Sequence, residues 1–328
     1  MQILSKTNYN FLRWRWHALA LSLLVIGAGI ATIIARGGVP LGIDFTGGTV
    51  VQVKFERAIG DGDLRAALGS VPGDKTVQRY GAADKNTWLI RLPQMVGTEE
   101  GTNLEQGARS VNAALQSSSL GGYLVEKTTI VGPTIGAELQ RKGVYATLTA
   151  LLGIMIYIAL RFRFTFAVGA IAATMHDIAI VFVFLAWFGY DLSLNIIAAI
   201  LTITGYSVND TIVVFDRVRE NLRSHRKDRL EDVVNSSVND TLSRTIITAG
   251  TTFLAVLGLY LFGGEVLKGF AFTMLVGIAA GTYSTIFIAS AIAIVLSGRK
   301  AGGRTAADPA AAEGKAPART RRGRRAGA

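Results

Sequence analysis

Phe164–Phe188 reads FTFAVGAIAATMHDIAIVFVFLAWF, an almost unbroken apolar run with a histidine and an aspartate at its centre. A helix rises about 1.5 Å per residue, so a run of this length crosses the roughly 30 Å of a bilayer's hydrocarbon core. Five further runs match it: Trp16–Ala35, Val144–Leu160, Leu192–Phe215, Thr245–Phe262 and Gly269–Leu296. Half of the 328 residues are apolar, and the charges are gathered into particular stretches rather than spread along the chain. This is the pattern of a multi-pass membrane protein. The uncharged stretch Ala18–Ala35 exceeds the usual core of a cleavable signal peptide, about 7–15 residues, so the first span reads as a retained anchor.

Basic residues in short loops set the orientation. Lys6, Arg13 and Arg15 precede span one, and Arg161 and Arg163 separate spans two and three. Arg217, Arg219, Arg223, Arg226, Lys227 and Arg229 lie between spans four and five, in an expected loop over residues 216–240. The opposite loops, around Asp191 and Glu265, carry only Lys268. The basic side is the cytoplasmic side, so residues 1–15 and the tail, 299–328, are both expected on the cytoplasmic side of an inner (cytoplasmic) membrane. The net charge is +11, and that tail holds nine Lys/Arg against Asp308 and Glu313. Rich in Ala, Gly, Pro and Arg, it has little to bury and reads as a disordered, solvated tail. Attraction to anionic lipid or to ribosomal RNA is the sharper reading, but it carries no specific nucleic-acid-binding pattern.

Residues 36–142, between spans one and two, fall on the outer side. Val51, Val53 and Phe55 alternate with Gln52, Lys54 and Glu56 at the period of a half-buried strand. Leu64, Ala67 and Leu68 form a short helical stripe, followed by strands at Lys75–Tyr80 and Trp88–Leu92. Leu104, Ala108, Val111 and Leu115 recur at helical spacing, and Gly122–Val131 closes the series. The order β-α-β-β-α-β is that of a ferredoxin-like domain. The expected architecture is therefore a six-span α-helical bundle, residues 143–298 holding spans two to six, with a small α+β extracytoplasmic domain between the first two helices. The chain has no cysteine, which excludes disulfides and thiolate metal sites. No metal constellation, phosphate loop or cofactor site is legible, and the loop histidine His225 reads as solvated.

An ionisable group in hydrocarbon is expensive and needs a reason. His176 and Asp177 lie in span three, Asp210 in span four and Arg244 at the start of span five. By helical rise, Asp210 is roughly 9 Å inward of Asp216, and Arg244 roughly 6 Å inward of Asp240. The antiparallel helices can bring the two side chains together. Proton binding at Asp210 would then convert a neutral pair into a lone cation and bias helix packing; a static salt bridge fixing helix register is the plainer alternative. His176 and Asp177 point about 100° apart and cannot share one partner. They read either as a proton relay or as hydrogen-bonding residues of the bundle interior. Asn209, with the hydroxyls of Thr204, Ser207 and Thr211, reads as interhelical hydrogen bonding. Gly277 and Gly281 form a G-x-x-x-G spacing that suits a close helix contact, in this bundle or with a partner.

Seven motifs in order resemble the SecD/SecF family: GIDFTGGT at Gly42–Thr49, VGPTIGAEL at Val131–Leu139, ATMHD at Ala173–Asp177, GYSVNDTIVVFDR at Gly205–Arg217 with Arg219-Glu220-Asn221, TLSRT at Thr241–Thr245, Phe262-Gly263-Gly264, and GTYS at Gly281–Ser284. The resemblance covers residues 40 to 290 and, within the family, is to its SecF branch. It implies a transport protein and not an enzyme, with the resistance-nodulation-division architecture completed to twelve spans by SecD. It further implies the SecYEG channel, the SecA ATPase and the exported preprotein as partners, with YajC a further candidate, and use of the proton-motive force late in export. It maps the family's proton-pathway aspartate onto Asp210, its functional arginine onto Arg244, and the outer signature turn onto Gly42, Asp44, Gly47 and Gly48. Two other readings compete: half of a small-molecule or lipid exporter of the same superfamily, whose outer domains would be far larger, and a membrane assembly factor without transport chemistry.

Overall fold

The computed structural model describes residues 7–73, 75–80, 86–92, 102–224 and 228–302. Among these, six helical stretches are long and apolar enough to cross a membrane: Phe11–Ala35, Thr134–Arg161, Phe164–Phe188, Leu194–Ser224, Leu230–Phe262 and Val266–Ser297. The first comprises a short 3-10 turn, Phe11–Trp14, and α1, Arg15–Ala35. After it come α2, Ile43–Thr46, and an α+β domain: β1 Gly48–Phe55, α3 Asp61–Ala67, β2 Thr76–Tyr80, β3 Thr87–Leu92, α4 Thr102–Gln116 and β4 Tyr123–Val131. The bundle continues with α5 Pro133–Arg161, α6 Phe164–Phe188, α7 Leu194–Ser224, α8 Leu230–Phe262 and α9 Gly264–Ser284. A π-helical turn, Thr285–Ala289, joins α9 to α10, Ser290–Gly302. The basic tail beyond residue 302, Lys6, and His225, Arg226 and Lys227 lie outside the described residues.

The strands form one antiparallel sheet in the order β2-β3-β1-β4. Alternation in β1 sends Val51, Val53 and Phe55 inward, where they meet Ile90, Leu64, Val111 and Leu115 in one apolar core. Between Gln52 and Val53 the register of β1 on β4 slips by one residue, a bulge that leaves Glu126 unmatched.

In the bundle, α6, α7 and the sixth span make the interior, and α1, α5 and α8 lie outside. Leu21, Leu24, Leu148, Leu152, Leu254 and Leu261, on the three outer helices, are exposed. Such faces are what hydrocarbon accepts. The interior helices approach closely at small residues. A Cβ added to Gly277 would lie 2.3 Å from Ile203, and one added to Gly281 would lie 2.7 Å from the Ser207 hydroxyl. The G-x-x-x-G spacing therefore serves α9 against α7, within this chain. Gly169 likewise would place a Cβ 2.6 Å from the carbonyl oxygen of Ala289, in the π turn.

Two expectations need correction. Helix α5 begins at Pro133 and not near Val144, and residues 216–240, expected as a loop, are mostly helix. Hydropathy marks only the apolar part of a helix. The polar extensions are sustained by short-range ion pairs: Glu138–Lys142, Asp216–Arg219 and Arg217–Glu220. At the end of α6, Gly189 sits in the left-handed region at φ +72° and closes the helix with a bond from its N–H to the Leu185 carbonyl. Gly189→Ala is expected to cost about 1 kcal/mol, read as a small drop in the thermal unfolding midpoint of the purified protein.

Candidate functional site

Asp177 lies in the bundle interior, 3 % exposed. Its Oδ2 accepts from the Ser207 hydroxyl of α7 at 2.6 Å and from the Ser284 hydroxyl of α9 at 2.9 Å. Its Oδ1 lies 3.1 Å from Nδ1 of His176. The other imidazole nitrogen, Nε2, is 3.0 Å from the hydroxyl of Ser22 on α1, and the ring stacks on Tyr283. Tyr283 in turn donates to the Ala18 carbonyl at 2.6 Å. Four helices are thus joined through one buried carboxylate and its neighbour. The two residues do face different partners, as the 100° step requires, yet their side chains also meet each other. Next to this cluster, Thr285 at the start of the π turn shares a 2.8 Å hydrogen bond with Thr211. The Ser290 hydroxyl also donates to the Thr285 carbonyl at 3.2 Å, five residues back across the π turn.

On the other side of Ser207 is a cavity of about 240 Å³, lined among others by Tyr206, Asn209, Asp210, Arg244, Thr248 and Thr282. Asp210 Oδ1 accepts from the Thr245 hydroxyl at 2.8 Å. Its Oδ2 is buried with no hydrogen-bond partner among the described residues, and so is the hydroxyl of Tyr206. Arg244 is exposed on the bundle face and lines the same cavity. Sequence spacing brings Asp210 and Arg244 to one site, but they do not close into an ion pair. Thr245, one residue and about 100° further round α8, takes the carboxylate instead. Asn209 is exposed at the cavity edge. At about 30 Å³ per molecule, the cavity has room for several waters among polar walls. Arg244 and Val213 also line a second cavity, toward Asp216, Arg217 and Asp240, in which Arg217 bonds Asp240 at 2.9 Å.

The signature turn lies at the other end of α7. Gly47 and Gly48 have φ of +68° and +122°, which β-carbon-bearing residues resist. Gly42 donates its N–H to the Leu192 carbonyl at 2.7 Å, and Asp44 Oδ2 accepts from the Leu194 N–H at 3.0 Å. Sequence reasoning named Asp210, Asp177 and Ser207 but missed Ser22, Tyr206, Thr245, Tyr283 and Ser284. Hydroxyls inside helices carry no periodic signal, although Tyr206, Thr245, Tyr283 and Ser284 all fall within motifs already singled out.

Residues 111–299 match the family described as "Protein export membrane protein SecD/SecF, C-terminal", and residues 32–59 match "SecD/SecF GG Motif". Proteins named protein translocase subunit SecF are similar along most of the chain. That of Calditerrivibrio nitroreducens is 43 % identical, covering 80 % of this chain and 86 % of its own. That of Rhodothermus marinus is 42 % identical, covering 93 % and 98 %, and that of Escherichia coli O157:H7 is 38 % identical, covering 88 % of each. The crystal structure of SecDF from Thermus thermophilus, described as a translocon-associated membrane protein, superposes with a TM-score of 0.78 at 35 % identity over 90 % of this chain. The chain spans 39 % of the length of that SecDF chain. These relatives are transport components. With six apolar spans of its own, the chain is a multi-pass membrane protein and belongs to the SecF family of protein translocase subunits.

Proposed function

We propose that this chain works with SecD to draw on the proton-motive force for late steps of preprotein translocation through SecYEG and SecA. Proton exchange would occur at Asp210 and be felt by Arg244. The observation that carries this is the Asp210 carboxylate itself: one oxygen held by Thr245, the other buried and without a partner among the described residues, beside a polar cavity that Arg244 also lines. A carboxylate with that unused acceptor can take a proton without first breaking a hydrogen bond, and the proton would change the charge facing Arg244. Asn209 borders the same cavity and would help hold water there.

His176 and Asp177 belong to the packing side of this scheme. Both Asp177 oxygens and both imidazole nitrogens have partners. The pair would hold α1, α7 and α9 in register on α6. The small domain is read as ferredoxin-like, from its element order and its β2-β3-β1-β4 sheet, and as lying outside an inner membrane. Both termini are then cytoplasmic, and the basic tail lies within reach of anionic lipid. YajC is a further candidate partner. Six spans supply half of the expected path, so a further carboxylate would come from SecD.

The test is an export assay in vesicles that contain this chain, SecD and the channel, with the proton gradient imposed after substrate entry. Asp210→Asn is expected to assemble normally and lose gradient-dependent completion. Undiminished completion would refute the assignment.

A further inference from the structure

The signature turn does more than reverse the chain. Helix α7 carries Asp210, and Leu194 at its first turn lies sixteen residues away, about 24 Å along the axis. Two separate contacts fasten the sheet domain to that end. In the first, the backbone of Gly42 and Pro40 exchanges two hydrogen bonds with Leu192, each 2.7 Å. A Cβ at Gly42 would stand 2.8 Å from the Leu192 oxygen, so the approach is as close as backbone allows. Asp44 then accepts from the Leu194 N–H, placing a carboxylate at the positive end of the α7 dipole and filling one of its unpaired donors. Gly47 leads straight into Gly48, the first residue of β1, which with β3 is one of the two central strands of the sheet. In the second contact, Arg91 of β3 pairs with Asp191, with side chains 20 % and 15 % exposed. A half-buried pair of this kind resists shear because separating it leaves a partly desolvated charge without a partner. Behind the turn, a Cβ on Gly136 of α5 would lie 3.0 Å from the Gly47 nitrogen, so the turn is held between α5 and α7.

We propose that Asp44 and the Arg91–Asp191 pair form a permanent two-point linkage through which displacement of α7 is delivered to the sheet domain. They are positioning residues: none of them meets Asp210. The inference rests on the reading of Asp210 as the coupling site. A single contact would let the domain swivel on α7. Two contacts, one from the turn before β1 and one from β3, fix its orientation as well as its distance.

The test uses the whole chain with SecD and the channel in vesicles, reading export completion and, separately, proton entry with an internal pH dye. Arg91→Asp and Asp191→Arg are each expected to assemble, to keep proton entry and to lose about tenfold in gradient-dependent completion. The double exchange is expected to recover most of that loss. Wild-type completion in both single variants would overturn the proposal. So would loss of proton entry and completion together without recovery in the double exchange. Failure of the Asp210 reading shows differently, as an Asp210→Asn variant that still completes export.

Discussion

Replacing Asp177 with leucine is expected to destabilise the bundle by about 3 kcal/mol, whereas Asp177→Asn is expected to cost about 1 kcal/mol. Leucine removes the acceptor for Ser207 and Ser284 and the partner of His176, three polar groups in an interior that offers few substitutes. Leaving a buried polar group unsatisfied costs about 1–3 kcal/mol, but interhelical hydrogen bonds in membranes average nearer 0.6 kcal/mol because the groups find other partners. Ser284 has one at hand, the Gly281 carbonyl at 3.2 Å. The sum therefore stays well below three full penalties. Asparagine keeps an oxygen for the serines and offers an N–H to the imidazole. Thermal unfolding of the purified variants decides between them. Equal losses for both substitutions would show that the charge of Asp177, and not its hydrogen bonds, holds the helices.

Gly281→Val is expected to be the other strongly disruptive change, at about 1–3 kcal/mol, together with loss of gradient-dependent export. The first added carbon would lie 2.7 Å from the Ser207 hydroxyl and 2.8 Å from its Cβ, with the backbone Cα only 3.5 Å away. Ser207 cannot retreat without leaving Asp177, so the damage spreads from packing into the polar cluster and the Asp210 cavity that Ser207 also lines. Gly250→Ala on α8 is the internal comparison. Nothing lies within 4 Å of its added carbon, so helix propensity alone acts and the change should be neutral or slightly stabilising. If unfolding midpoints show the two substitutions to be alike, the tight α7–α9 seam is not what holds the interior.

The spans were legible because hydrocarbon demands long apolar runs, and Phe164–Phe188 was read to its true ends. The strands were legible because Val51, Val53 and Phe55 alternate, and the same period picks out Trp88, Ile90 and Leu92. Helix ends that project beyond the apolar run, as at Pro133 and Leu230, were not, since polar helix and polar loop have similar composition. The site was half legible. A carboxylate in an apolar run announces itself, so Asp177 and Asp210 were found. Their partners are hydroxyls, ordinary at any point of a membrane helix, and only three-dimensional packing selects Thr245 over Arg244 or adds Ser284 to Ser207. The role of Asp44 was invisible for another reason: its partner is a backbone N–H 150 residues away, which has no sequence signature at all.

The junction of α1 with Tyr283 and His176 has a consequence in time. The chain is synthesised from its N-terminus at about 5–20 residues per second. Ser22 therefore enters the bilayer first, but His176 follows it by 154 residues and Tyr283 by 261. Until those residues are made, the Ser22 hydroxyl has neither of the partners it holds in the folded bundle. Most of what seats this helix arrives with α6, where Gly29 packs on Val183 and Trp187 donates to Thr32 at 3.2 Å. The first helix can therefore dock long before the bundle is complete, and the contacts from Tyr283 to Ala18 and Ser22 close the joint last.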